Sequence, residues 1–280
     1  MVIIKVSGGL ASQLHKYMIG YMISKVLSTE LKLDLTWFDN TPKEDTSRDF
    51  LLHNYPIEIN VASKKEIKSL KPTRIGKFVN RFLPIKSQNY SGESFFDKKH
   101  IEKLSAPVYV EGEWFGDELI SDYLCEFKRM FRCERDLKSN LGRKKVATLH
   151  VRRGDFYSND NARKLHGVVG ESYYISAMKL ADSMGVDKFL VFSDDVEWVR
   201  SNYFKNVSFD LEFCDVDDCI TEFEEMKVHN VNITSNSGFS WLSAWLGDSD
   251  YIISPKTWVS DEAVNCRILK NMTDKRMIFI

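Results

Sequence analysis

No run in this sequence of 280 residues approaches the roughly 18 consecutive apolar residues that a membrane-spanning helix needs. The opening Met-Val-Ile-Ile-Lys-Val is also too short for the apolar core of a signal peptide and is expected to form a strand. Cysteine is scarce and odd in number: Cys125, Cys133, Cys214, Cys219 and Cys266 show no paired metal spacing. That excludes a disulfide framework or zinc ribbon and fits a reducing compartment, with the thiols used as small apolar side chains. Four sequons, beginning at Asn89, Asn206, Asn232 and Asn271, would matter only in a secreted chain. Net charge is nearly absent, with 39 Lys and Arg against 40 Asp and Glu, so nothing global points to nucleic acid. A full GxGxxG is missing too, which leaves a nicotinamide fingerprint unsupported.

What remains is ample material for a core: 43% of the residues are hydrophobic, enough for one large domain or two of ordinary size. Charge is unevenly spread. From Val61 to Lys103 eleven Lys or Arg face four acids, a stretch that either attracts an anionic membrane surface or is a solvated helical face. Val2–Val6 reads as a strand, then a Ser7-Gly8-Gly9 turn, then a helix with Leu10, Leu14, Tyr17, Met18, Tyr21, Met22 and Val26 on one core face. This strand, glycine turn and helix open a Rossmann-like unit whose helix N-terminus suits an anion. Leu31–Trp37 is expected to be a second strand, Asp117–Phe131 a helix and the polar stretch 138–145 a linker. Beyond it strands at 146–151, 188–193, 206–210 and 228–234 alternate with helices at 172–184, 195–204, 218–227 and 239–247. Tyr251–Ile253 and Met277–Ile280 are final strands. Such alternation implies a parallel, doubly wound sheet.

Three of these strands end in chemistry. Strand 146–151 runs into Arg152-Arg153-Gly154-Asp155, and two guanidiniums on a rigid strand end make a grip for a phosphate or diphosphate. The plainer alternative is that one arginine pairs with Asp155 and the other lies on the surface. Strand 188–193 ends in Ser193-Asp194-Asp195, where Asp194 either accepts from ribose or guanine donors or caps the next helix. Strand 228–234 runs into Thr234-Ser235-Asn236-Ser237-Gly238, a turn able to wrap a diphosphate at a helix N-terminus. Adjacent carboxylates such as Asp194-Asp195 point in different directions, which argues against a shared metal.

His150-Val151-Arg152-Arg153-Gly154-Asp155-Phe156 resembles the HxRRxD signature of bacterial α-1,2-fucosyltransferases, glycosyltransferase family 11. Gly8-Gly9-Leu10-Ala11-Ser12-Gln13 is similar to that family's Gly-Gly-Leu-Gly-Asn-Gln loop, and Tyr109-Val110-Glu111-Gly112-Glu113-Trp114 to its Tyr-Leu-x-Gly-Tyr-Trp segment. Asn236-Ser237-Gly238-Phe239-Ser240-Trp241 is similar to Asn-Ser-Thr-Phe-Ser-Trp. Four motifs in the family's order across nearly the whole chain make chance a poor explanation.

The resemblance implies an α/β fold of GT-B type, two Rossmann-like halves with a cleft between them: residues 1–145 on the acceptor side and 146–280 holding a GDP-sugar. It implies inverting transfer of L-fucose, or a related deoxyhexose, from its GDP ester to the 2-hydroxyl of a galactoside. The acceptor would be an oligosaccharide or lipid-linked intermediate of O-antigen assembly. The enzyme would be cytoplasmic, in peripheral contact with the inner membrane surface, with no cofactor and no metal, because arginine replaces the cation on the leaving phosphate. Arg152 is the expected clamp. Asp155 is either the general base or an orienting partner, with Asp160, Glu111 and Glu113 as substitutes. His166 is structural or acceptor-facing. Donor contacts implied by the motifs, and by similarity to α-1,6- and protein O-fucosyltransferases, are Gly9, Gln13, His15, His150, Arg153, Asp194, Asn236, Ser237, Gly238, Phe239 and Ser240. Glu111, Glu113 and Trp114 are the implied acceptor contacts. Ala11-Ser12 in place of Gly-Asn, Phe115 where Gln is common and Gly238 in place of Thr depart from the pattern and leave room for another donor. GDP-colitose, which lacks a hydroxyl of fucose, is one such donor. A non-catalytic nucleotide-sugar-binding protein is the alternative from another class.

Overall fold

A computed structural model describes the chain except residues 44, 73–88, 93–97, 133–144, 155–166, 168 and 217. The chain divides into two compact units, Met1–Cys133 and Glu134–Ile280, each built on its own parallel sheet.

The first unit carries β1 (Val2–Lys5), β2 (Leu31–Asp34), β3 (Tyr90–Ser91) and β4 (Val108–Val110) in the order β2-β1-β4-β3, every pair parallel. Helix α1 (Leu10–Val26) follows β1 and packs on it. The single apolar face expected of it is an understatement. Gln13, His15 and Lys16 are buried along with the apolar stripe, whereas Val26, expected inward, is exposed. Leu31–Trp37 does not stay extended. The strand stops at Asp34, whose Oδ1 accepts from the Thr36 N–H at 2.9 Å and starts the short helix Thr36–Asp39. The expected helix Asp117–Phe131 is regular only over Leu124–Met130, preceded by a 3₁₀ turn at Ser121–Tyr123, although Phe127 and Phe131 are buried as anticipated.

The second unit carries β5 (Lys145–Val151), β6 (Val186–Ser193), β7 (Leu211–Phe213), β8 (Val231–Ile233), β9 (Tyr251–Ser254) and β10 (Met277–Phe279) in the order β10-β9-β8-β5-β6-β7, again all parallel. Ala147, Leu149 and Val151 of β5 pack with Phe189, Val191, Val231, Ile233 and the Tyr174, Ala177 and Met178 side of the helix Glu171–Ser183. Sheets covered on both faces read as continuous apolar runs, which is why these strands stood out in the sequence. Two elements differ from expectation. The edge strand lies at Leu211–Phe213 rather than 206–210, because Val207 and Phe209 pack on the core from the preceding loop. A helix at Glu262–Asn271, capped by Asp261 accepting from the Val264 N–H at 2.9 Å, was not anticipated.

The helices Cys219–Lys227 and Gly238–Leu246 pack against one another at the C-terminal end of the second, where a Cβ on Gly247 would lie 2.4 Å from the Lys227 carbonyl oxygen. Backbone cannot give way as a side chain tip can, so Gly247→Ala is expected to destabilise the protein by about 2 kcal/mol or more, read as a lowered chemical-denaturation midpoint at unchanged m. None of the described helices is long and apolar enough to cross a membrane.

Candidate active site

In the second sheet the chain moves outward from β5 through β6 to β7, then returns to the other side of β5 with β8 and continues through β9 to β10. The order reverses between β5 and β8, and ligands of open parallel sheets sit outside the strand C-termini at such a reversal. Arg152 leaves β5 there, Asp194 leaves the neighbouring β6, and Thr234–Ser237 leave β8. The three strand ends expected to share one edge do share it.

The two arginines have different surroundings. Arg152, with a side chain 22% exposed, places Nη1 2.9 Å from Asp194 Oδ2. Arg153 is folded back: its guanidinium stacks 3.2 Å from the centre of the Trp198 ring and its Nε donates to Asp195 Oδ2 at 3.0 Å. Both arginines thus pair with carboxylates that follow β6. Asp194 does not cap the helix Val196–Asn202 that follows β6, and it holds the arginine loop. Its Oδ1 accepts from the Arg153 N–H at 2.8 Å and its Oδ2 from the Gly154 N–H at 2.9 Å. The glycine at 154 permits this approach, since a Cβ would come within 2.6 Å of Asp194 Oδ2. Asp155, Asp160 and His166 lie outside the described residues.

Below the clamp, His150 is buried with Nδ1 3.1 Å from Ser235 Oγ and its ring 5.7 Å from that of Phe239. Burial and the charge of Arg152 lower its pKa to about 4 against the opposing pull of Asp194, so the imidazole is neutral. Its Nε2 faces Glu222 Oε1 at 3.9 Å. Glu222, in the first turns of the helix Cys219–Lys227, is a residue that sequence reasoning missed. Its side chain is only 15% exposed, Oε1 has no hydrogen-bond partner among the described residues, and burial reinforced by Asp194 raises its pKa to about 7 despite Arg152. No local motif marks it, because its surroundings come from β5 and β6.

The turn after β8 opens the helix Gly238–Leu246. Ser237 caps it, its Oγ accepting from the Phe239 N–H at 3.3 Å, and nothing lies within 4 Å of where a Gly238 Cβ would be. Ser240 donates to the Ser237 carbonyl at 3.4 Å and Asn236 Nδ2 to the Trp258 carbonyl at 3.3 Å, both side chains buried. The helix N-terminus and Arg152 therefore offer an anion two kinds of donor at one sheet edge.

The first unit repeats the geometry. Its order reverses between β1 and β4, which brings the Ser7-Gly8-Gly9 exit of β1 beside the Glu111–Trp114 exit of β4. Gln13 is not presented at this edge. Fully buried, it donates to the Gly8 and Asp49 carbonyls at 2.9 and 2.8 Å and accepts from the Leu51 N–H at 2.8 Å. His15 likewise braces the fold, with Nε2 2.9 Å from the Gly116 carbonyl oxygen and a pKa lowered to about 4, chiefly by burial. Glu111 accepts from the Tyr90 hydroxyl at 2.6 Å and pairs with Lys71 at 3.5 Å. Trp114 is buried, and Glu113 is exposed.

The model of glycosyl transferase family 11 matches residues 53–273. The chain belongs to that family. As a family 11 glycosyltransferase it is 28% identical to an α-1,2-colitosyltransferase of Escherichia coli, over 95% of this chain and 94% of the relative. It is 30% identical to the O-antigen biosynthesis glycosyltransferase WbnK of Escherichia coli, over 90% and 93%. It also aligns with the crystal structure of NodZ α-1,6-fucosyltransferase soaked with GDP-fucose at a TM-score of 0.48 and 10% identity, covering 90% of this chain and 93% of that one.

Proposed function

We propose that this glycosyltransferase moves a deoxyhexose, L-fucose or colitose, from its GDP ester to the 2-hydroxyl of a galactoside during O-antigen assembly, with inversion and without a metal or cofactor. The observation that carries the reading is the placement of Arg152 and the Ser237–Gly238 helix N-terminus after adjacent parallel strands at the sheet reversal, a seat for a diphosphate. The named relatives support the sugar class, and the similarity to a colitosyltransferase favours colitose as the second reading of the donor.

In the reaction the acceptor oxygen bonds to the anomeric carbon, its proton passing to the general base for which Asp155 is proposed, as the bond to the β-phosphate oxygen breaks. Arg152 neutralises the charge gathering on that phosphate, which is the task a metal performs elsewhere. Asp194 is engaged by Arg152 and two backbone N–H groups and Asp195 by Arg153, which supports the metal-free reading. With Asp194 so engaged, the guanine contact once expected of it passes to Glu222. Glu222, whose Oε1 has no hydrogen-bond partner among the described residues, accepts from the N1 and N2 donors of a guanine, and uracil offers no such pair. The acceptor belongs at the Glu111–Trp114 edge of the first unit. Contact with an anionic membrane surface through the basic stretch 61–103 completes the proposal.

The test is a panel of GDP-fucose, GDP-colitose, GDP-mannose and UDP-galactose with a β-galactoside, read as nucleotide release and acceptor mass gain with and without EDTA. One GDP-deoxyhexose should be used at least about tenfold better than the others, EDTA should change nothing, and the product anomer should be opposite to the donor's. A preferred UDP-sugar or a metal requirement would overturn the reading.

A further inference from the structure

The stretch Glu111–Gly116 leaves the first sheet at the end of β4 and is fixed at three points. Tyr90 donates to Glu111, Lys16 Nζ donates to Glu113 Oε1 at 2.7 Å, and the His15 ring nitrogen lies against the Gly116 carbonyl oxygen. Two of these anchors come from α1, directly beneath the Ser7-Gly8-Gly9 turn. Lys16 is buried, its side chain 4% exposed, and its second bond runs to Ser7 Oγ at 2.6 Å. An ammonium in that position is costly unless paired, so the pair is held tightly. Glu113 is the outer partner, with a side chain 62% exposed, and its Oε2 has no protein partner among the described residues. A rigid loop thus holds one carboxylate oxygen outward on a buried cation.

We propose that Lys16 and Glu113 form an acceptor-reading pair: Lys16 fixes Glu113 so that its outward oxygen accepts a hydrogen bond from a hydroxyl of the acceptor sugar other than the one that attacks. The inference rests on the reading of this edge as the acceptor side. Where the family segment carries tyrosine, this chain carries Glu113. A phenol both donates and accepts, whereas a carboxylate only accepts, so the acceptor must bring an O–H to this point. An analogue without that hydroxyl leaves the carboxylate unmatched and is disfavoured. Partial exposure holds the discrimination to about tenfold rather than the thousands possible in a closed site.

Methyl β-galactoside and its 3-, 4- and 6-deoxy analogues test this as acceptors of the wild type, Glu113→Gln, Glu113→Tyr, Lys16→Met and Lys16→Arg. The wild type should use one deoxy analogue about tenfold less efficiently, mainly through KM. Glu113→Gln and Glu113→Tyr should reduce that ratio to within twofold, Lys16→Met should do the same, and Lys16→Arg should restore it. General loosening of the fold would lower all four acceptors together and leave the ratio intact, so an intact ratio in Glu113→Gln, or an even profile in the wild type, overturns the pair. If no GDP-sugar is turned over, the proposed donor has failed and this pair has not. Saturation-transfer NMR of the same galactosides then decides it. A contact at one hydroxyl position that disappears in Glu113→Gln supports the pair, and an unchanged map refutes it.

Discussion

Arg152→Ala is expected to lower kcat by about 10³-fold while leaving the melting temperature within a few degrees of the wild type. Removing one pre-positioned donor from a developing oxyanion costs about 10²–10³-fold in well-studied enzymes, and here a full positive charge goes with it. Arg153→Ala should behave in the opposite way. Its guanidinium is packed on Trp198 and paired with Asp195, so its loss leaves a buried aromatic face uncovered and a carboxylate unpaired. That should cost about 2 kcal/mol of stability, with a smaller loss of rate through displacement of the Arg152 loop. Arg152→Lys separates charge from shape: a point charge on a flexible stem keeps the attraction but not the paired donors, which places its rate between those of wild type and alanine. Steady-state kinetics and thermal melts on the three variants check this. If Arg153→Ala, still folded, loses as much rate as Arg152→Ala, the division of labour between the two arginines is wrong.

That division could not be read from the doublet itself. The sequence shows two cations at a strand end; Trp198 and Asp195, which take one of them away, belong to the helix and turn after a different strand. The strand end was legible for the same reason that the second sheet was: β5, β6 and β8 are short apolar runs buried on both faces, and local sequence marks where they stop. Edge elements were harder. β7 is only partly buried, and Val207 and Phe209 of the loop before it, which also pack on the core, drew the assignment. The helix Glu262–Asn271 buries little beyond Ile268, yet Asp261 followed by Glu262 was a capping signal that could have found it. In the first unit, family likeness pointed to Gln13 and His15 as ligand contacts, and the fold adds what the motif could not show, that both are buried and brace the loops. Lys16 carries no motif that would single it out in the sequence. Only the register of β1 against β4 brings it beneath Glu113.

Glu222→Gln should weaken GDP binding by about tenfold at pH 8 and leave UDP binding unchanged, since an amide loses the carboxylate's second acceptor and its charge. The wild-type affinity should also depend on pH in a defined direction. The Glu222 carboxyl ionises only at about pH 7 in the free protein, and guanine N–H donors favour the ionised form. GDP should therefore bind more tightly as pH rises toward 7 and level off above it, with a slope of at most about tenfold per unit, and Glu222→Gln should abolish the slope. Stability follows from the same shift with the opposite sense. A carboxyl whose folded pKa is raised from 4.5 to about 7 costs nothing below pH 4.5, destabilises increasingly between those values, and carries its full cost of about 3 kcal/mol above pH 7. His150, lowered from 6.5 to about 4, works the other way. It removes stability as pH falls below 6.5, so the two groups oppose each other over the mildly acidic range. Glu222→Gln should accordingly be more stable than the wild type at pH 8 and lose that advantage by pH 4.5. Isothermal titration with GDP and UDP at pH 5.5, 7 and 8, with melts at each of these and at pH 4.5, tests both claims. A variant that binds GDP like the wild type would remove Glu222 from the nucleotide site, and equal loss of GDP and UDP would give it a structural role instead. Because a ligand that supplies two N–H donors relieves the cost of that buried charge, the same residue that weakens the empty protein above pH 7 is the one through which GDP should stabilise it most.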